Sequence, residues 1–200
     1  MKRRIIIVVA LICVGVVFII QFSSKRNIKL KEELVTLYGT ELKLPIEKMR
    51  CMINGKDTLL SETSKCKFKV VLYVDSANCS SCAYKNLWRW KEFKEEMDKK
   101  KKKVQIVFIM NPSETNKKSL YEAMKQSTVF DEPIYVDTLG IFNSANPLLP
   151  SESLFHCFLL DAENKILLVG NPVTNKRMRE LYLNDIKKQG NAEPLNSRQN

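Results

Sequence analysis

Glycine and proline are scarce in this chain, with 6 and 7 among 200 residues. That excludes a collagen-like repeat or a Gly/Pro-rich low-complexity tract, and no internal repeat of solenoid length is present. Histidine occurs once, at His156, and no second closely spaced Cys or His pair accompanies the one Cys-x-x-Cys, so a structural zinc site lacks its ligands. What is present suits one packed domain: 44% apolar residues and 8% aromatic residues bury a single core at this length. Disorder and coiled coil are excluded as global descriptions. The formal charge of +11 permits attraction to nucleic acid or to anionic lipid. It selects neither.

The N-terminus is more informative. Lys2, Arg3 and Arg4 precede an apolar run from Ile5 to Ile20, which as a helix is about 24 Å long. This lies between a long signal-peptide core and a short membrane span. Small residues are not paired at a cleavage position near Ser23 or Ser24, so residues 1–24 are expected to form an uncleaved anchor, with an uncleaved signal as its alternative. Cys13 follows Ile12 inside the run, which excludes lipidation at that cysteine. Lys25, Arg26, Lys29 and Lys31 rival the leading charges, and the charge rule leaves orientation undecided. A short basic start ahead of a first hydrophobic segment is the usual signal-anchor arrangement. The expectation is therefore a single pass through the cytoplasmic (inner) membrane, with the C-terminal domain extracytoplasmic or periplasmic.

Residues 25–40 read as a connecting helix, with Ile28, Leu30, Leu34, Leu37 and Tyr38 at mixed three and four spacing and Gly39 as its stop. A brief strand is expected at Glu41–Pro45, and a hairpin around Asn54-Gly55 within Arg50–Leu60. Lys67–Asp75 is nearly continuous in apolar residues, as a strand buried on both faces is. A helix follows from Cys79 to about Asp98, with Ala83, Leu87, Trp90, Phe93 and Met97 on one face. Val104–Met110 gives a second strand, Lys117–Gln126 a helix and Ile134–Val136 a short strand. A loose turn near Leu139–Ser144 leads to a loop marked by Pro147 and Pro150. Strands at Phe155–Leu160 and Lys165–Gly170 form a hairpin, and Thr174–Lys188 closes the domain as a helix. The class is α/β, with a mixed sheet and helices on both faces. The domain is expected over 41–189 and a disordered tail over 190–200.

Cys79-Ser80-Ser81-Cys82 falls where the central strand gives way to the first long helix. Cysteines at this spacing meet across one helical turn, and the free amides and positive dipole end favour the thiolate of the first. Cys79 is then the nucleophile that opens a substrate disulfide, and Cys82, close by and less exposed, resolves the mixed disulfide. No cofactor is needed beyond the cysteine pair itself.

From Leu42 to Ile186 the chain resembles the thioredoxin superfamily, particularly its membrane-anchored extracytoplasmic thioredoxin-like members of the cytochrome c maturation type. The likeness rests on the strand, the Cys79-Ser80-Ser81-Cys82 helix, the second strand and helix, and the closing hairpin Phe158-Leu159-Leu160-Asp161 with Ile166-Leu167-Leu168-Val169-Gly170. It implies a thioredoxin-like fold and thiol–disulfide exchange. The implied partners are exported proteins carrying disulfides or thiols, together with a membrane thiol reductant. Three positions depart from the pattern. Asn78 stands where an aromatic residue usually precedes the first cysteine. Phe155, His156 and Cys157 occupy the stretch of the family's cis-proline. Tyr73 is the nearer match to its buried carboxylate, which lies earlier on the strand than Asp75.

Several residues carry a structural reading beside a functional one. His156 is either a proton-exchanging neighbour of Cys79 or a partly exposed strand residue. Cys157 alternates to the face opposite His156, and its default is a small buried hydrophobe. Cys51 and Cys66 flank the Asn54-Gly55 hairpin and are candidates for a structural disulfide. The lysine run Lys99–Lys103 suits a solvated helix terminus, with lipid headgroup contact as its alternative. Trp90 on the apolar face and Trp88 off it are explained by packing, and no nucleic-acid partner is expected. Three other functions compete with the oxidoreductase. One is a non-catalytic interaction module with a structural disulfide. Another is a copper carrier using Cys79, Cys82 and His156 or Cys157. The last is a thiol peroxidase, suggested by Ser76 three residues before Cys79.

Overall fold

The computed structural model describes residues 28–59, 66–100, 104–126 and 132–191, with two further helical positions at 21 and 25. The run Ile5–Ile20, Lys101–Lys103 and the tail beyond Asn191 lie outside the described residues, and the expected anchor and tail fall there. No helix among the described residues is long and apolar enough to cross a membrane. The chain divides into two compact units, Met1–Leu37 and Tyr38–Asn200. In the first, residues 28–37 are helical.

The second unit is built on a seven-stranded sheet. Its strands are β1 (Arg50–Ile53), β2 (Lys56–Asp57), β3 (Phe68–Val74), β4 (Val104–Met110), β5 (Ile134–Val136), β6 (Cys157–Leu160) and β7 (Ile166–Val169). They lie in the order β2-β1-β5-β4-β3-β6-β7. The strands β3, β4 and β5 are mutually parallel, and β1, β6 and β7 pair antiparallel to their neighbours. The helices are α1 (Ser80–Lys85), α2 (Trp88–Lys99), α3 (Glu114–Gln126), α4 (Ile141–Ala145) and α5 (Lys176–Asn191). The mixed α/β sheet flanked by helices agrees with the sequence reading.

Alternation along the strands sorts the core. Phe68, Val70 and Val74 of β3 join Ile106, Phe108 and Met110 of β4 in one buried cluster with Trp90, Phe93 and Met97 of α2. Leu120, Ala123 and Met124 of α3 and Tyr182 and Ile186 of α5 complete it. Trp90 meets Phe108 edge-on at 5.5 Å between ring centroids, a favoured aromatic geometry. Trp88, one helical step off this face, is exposed. On the other side of the sheet, Tyr73 of β3 meets Phe142 of α4 at 4.6 Å.

Four local expectations are corrected. The strand expected at Glu41–Pro45 is reduced to a single bridge from Glu41 to Lys165, because Pro45 lacks an amide to continue a ladder and a 3-10 turn, Ile46–Lys48, follows it. The helix expected over Cys79–Asp98 is two helices, α1 and α2, separated by Asn86 and Leu87. Tyr84 and Leu87 still point inward, so the apolar stripe survives the break and conceals it in the sequence. Phe155 belongs to a 3-10 turn, Ser153–Phe155, and β6 starts only at Cys157. Finally, α5 begins at Lys176 and runs through Asn191, past the expected start of the tail.

The Asn54-Gly55 hairpin forms with both residues at positive φ, 50° and 71°, as a two-residue primed turn requires. A Cβ at Gly55 would also stand 3.0 Å from the backbone nitrogen of Lys125, so the turn packs tightly on α3. At the opposite edge the entering chain is fastened to the start of β7, where Gly39 N–H donates to Ile166 O at 2.8 Å and Ile166 N–H donates to Thr40 O at 2.9 Å.

Candidate functional site

Parallel strands end on the same side, and the polar residues that follow β3, β4 and β5 collect there. Beyond Val74 the chain turns at Asp75–Asn78 and enters α1. Beyond Met110 stands Asn111, whose amide donates to Val74 O at 2.8 Å. Beyond Val136 stands Asp137, whose amide donates to Met110 O at 2.9 Å. The antiparallel β6 begins at this end, so His156 joins the same group.

Cys79 and Cys82 form a disulfide, with Cα atoms 5.2 Å apart. Cys79 occupies the N-cap of α1, and its sulfur accepts the Cys82 amide at 3.3 Å. An amide aimed at Sγ favours the thiolate when the bond is opened. Ser81 Oγ lies 3.5 Å from the same sulfur, and Ser119 of α3 donates to Ser81 at 3.4 Å. Both cysteines are exposed. The helix α1 ends at Lys85, and Tyr84 takes its inward position. Ser80 is fully buried, and its hydroxyl has no hydrogen-bond partner.

The turn before Cys79 is organised by Asp75. Its Oδ1 accepts the Ala77 amide at 3.0 Å and the Asn78 side-chain amide at 2.6 Å, while its carbonyl accepts the Asn78 backbone amide at 3.1 Å. Asn78 thus performs a turn-fixing task at the position usually aromatic in the resembled family. His156 is buried, contrary to its reading as a partly exposed strand residue, and caps the 3-10 turn ahead of β6. Its Nε2 lies 2.7 Å from Pro150 O, and its Nδ1 lies 3.3 Å from Asp75 Oδ2. That second approach is within ion-pair distance but out of line for a hydrogen bond, and Nδ1 has no other partner.

Tyr73 is buried, its ring centroid 5.3 Å from that of His156, and its hydroxyl accepts from Asn111 Nδ2 at 3.3 Å. Burial raises its pKa above the ordinary value, which disfavours a role as proton acceptor. Asp137 is buried and gives one oxygen each to the amides of Ile141 and Phe142, fixing α4.

The other cysteines stand apart from this group. Cys157 is buried in the core with its sulfur 3.8 Å from the Tyr182 hydroxyl, and desolvation pushes its pKa up to about 12. Cys51 is a buried thiol on β1, raised by desolvation. The Cys51–Cys66 disulfide is not formed. Cys66 leads into β3, and β5 and β4 lie between β1 and β3. Three strand spacings amount to about 14 Å, well beyond disulfide reach. The copper-carrier arrangement is likewise not assembled: Cys157 turns to Tyr182, His156 turns to Pro150 and Asp75, and among the described residues no three Cys, His, Asp or Glu side chains could hold a metal ion.

Sequence reasoning missed Asp75 and Asn111. The first was legible as the start of Asp75-Ser76-Ala77-Asn78, whose composition suits an Asx turn. Asn111 follows directly on the strand Val104–Met110 and carries no local signal of its own.

No family model matches the chain, and no curated protein does. Solved structures do resemble it. The solution structure of a thioredoxin-like protein in the oxidized form is 18% identical, covers 71% of this chain and 90% of its own, and superposes with a TM-score of 0.42. A thioredoxin-like protein from Bacteroides caccae is 14% identical over 81% of this chain, with a TM-score of 0.45, and the chain spans about half of that protein, 55%. Peroxiredoxin Q from Xanthomonas campestris is 15% identical, covers 75% of this chain and 97% of its own, and gives a TM-score of 0.47. These are distant similarities.

Proposed function

We propose that this chain is a thiol–disulfide oxidoreductase of the thioredoxin-like kind, working through the Cys79–Cys82 pair. The observation that carries the reading is a solvent-open disulfide seated on the first turn of a helix, with the Cys82 amide directed at the Cys79 sulfur. A purely structural disulfide has no need of exposure on both sulfurs.

In the reduced protein the Cys79 thiolate attacks one sulfur of a client disulfide. A Cys79–client bond forms, and the second client sulfur leaves as a thiolate. The Cys82 thiolate then attacks Cys79 Sγ, closes the disulfide and releases the client's other thiolate. The client gains two electrons, and its thiolates take protons from water. A dithiol reductant returns the pair to its starting state by the reverse exchange. We place the enzyme at the inner membrane through Ile5–Ile20, facing extracytoplasmic clients and a membrane thiol reductant. The support is the basic start followed by the apolar run.

In cells carrying Cys82→Ser, mixed disulfides with client proteins are expected to accumulate on Cys79, and Cys79→Ser should accumulate none. Non-reducing gels of acid-quenched cells read the outcome. If neither variant traps a client, the catalytic reading fails; trapping on Cys82 alone would reverse the two roles.

A further inference from the structure

The contact between His156 and Asp75 poses a question of proton placement. Nε2 lies 2.7 Å from Pro150 O, and a carbonyl only accepts, so Nε2 carries a hydrogen. Nδ1 then faces Asp75 Oδ2 at 3.3 Å, away from water. In a neutral ring this nitrogen is a bare lone pair opposed to a carboxylate oxygen. A buried lone pair facing a half-buried carboxylate oxygen is costly. A proton on Nδ1 converts the opposition into a charge-assisted contact, and a small rotation of the ring aligns it. The donors gathered on Oδ1, from Ala77 and Asn78, suit an ionised carboxylate, so the ring is where this proton fits.

We propose that His156 is a positioning residue for the Cys79–Cys82 couple: protonated on both ring nitrogens, it braces Asp75 against Pro150 and so holds the Asp75–Asn78 turn that delivers Cys79 to α1. The inference rests on the oxidoreductase reading given above. The groups around the ring are accounted for. Tyr73 stacks beside it with its hydroxyl engaged by Asn111. Asp137, beyond Tyr73, has both oxygens committed to α4 amides. Among the described residues the only ion pair of His156 is with Asp75.

The test uses the full chain in detergent. His156 is the only histidine, so nitrogen NMR of the imidazole reports on this ring alone. Both ring nitrogens are expected to bear protons in wild type at acid pH. In Asp75→Asn the new side-chain amide donates to a bare Nδ1, and the ring should be singly protonated while the turn stays held. The disulfide-exchange rate with dithiothreitol supplies the second readout, as the ratio of wild type to His156→Gln. That ratio should be about tenfold. Asp75→Asn, which keeps the turn held, should exchange at close to the wild-type rate. A bare Nδ1 in wild type at acid pH, or a ratio near one, overturns the proposal. If the ring is doubly protonated but dithiothreitol never opens the disulfide, the brace stands and the oxidoreductase reading falls.

Discussion

The five cysteines beyond the N-terminal segment have the same side chain and very different chemistry. Cys157 sits in the core beside Tyr182, and desolvation holds its thiol at about 12; burial also raises Cys51. Thiolate is the reactive form, so both are inert in the folded protein. In fully reduced native protein, iodoacetamide should label Cys79 and Cys82 first and should reach Cys51 and Cys157 only after denaturant is added, as mass spectrometry of peptides will report. Rapid labelling of Cys157 in the native state would contradict its placement. The redox pair was legible from its spacing, because i and i+3 positions meet on one helical turn. The inertness of Cys157 was partly legible from strand alternation, whereas the contact of His156 with Asp75 was not, since residues 81 positions apart along the chain meet only through the register of β3 and β6.

At the scale of elements, α2 and α5 are joined by Glu96, which accepts Lys100 Nζ at 2.9 Å and Arg179 Nε at 2.7 Å. The hydrogen bond from Lys100, then that from Arg179, lowers the Glu96 pKa below its ordinary 4.5. A depressed carboxylate stabilises the fold above its unfolded pKa and loses that contribution as pH falls through the folded one. Glu96→Gln should therefore lower stability at neutral pH and flatten the acid limb below about pH 4.5 in urea melts. A variant whose acid limb matches wild type would show that the carboxylate contributes nothing. Helix and strand positions were largely legible, since buried strands and amphipathic faces carry strong periodicity. The break at Asn86-Leu87 was not, because Leu87 and Trp90 continue the apolar stripe across it.

For the whole molecule, the sheet is the scaffold and β4 lies within it, paired on both sides. Phe108 is fully buried there, against Trp90. Phe108→Ala should cost about 3–5 kcal/mol in denaturant titration, with the transition midpoint falling and the slope preserved. A loss below 1 kcal/mol would mean that the core closes over the gap. The α/β class was legible from alternating elements, yet the strand order was not. Arg50–Ile53 reads as half of a local hairpin, and nothing in those residues announces that they also pair with β5 more than eighty positions later. Long-range pairing is decided by which faces complete the core, and no local pattern encodes that.

The chain is stitched to the start of β7, which lies at the Lys69 end of β3, whereas the cysteine pair follows the Val74 end. Strand rise separates the two ends by about 20 Å. A bead, affinity tag or fusion partner joined directly at Gly39 therefore grips the domain by its idle end. Immobilised this way, the protein should turn over dithiol substrates at the rate of the free protein, a practical route to a reusable catalyst surface.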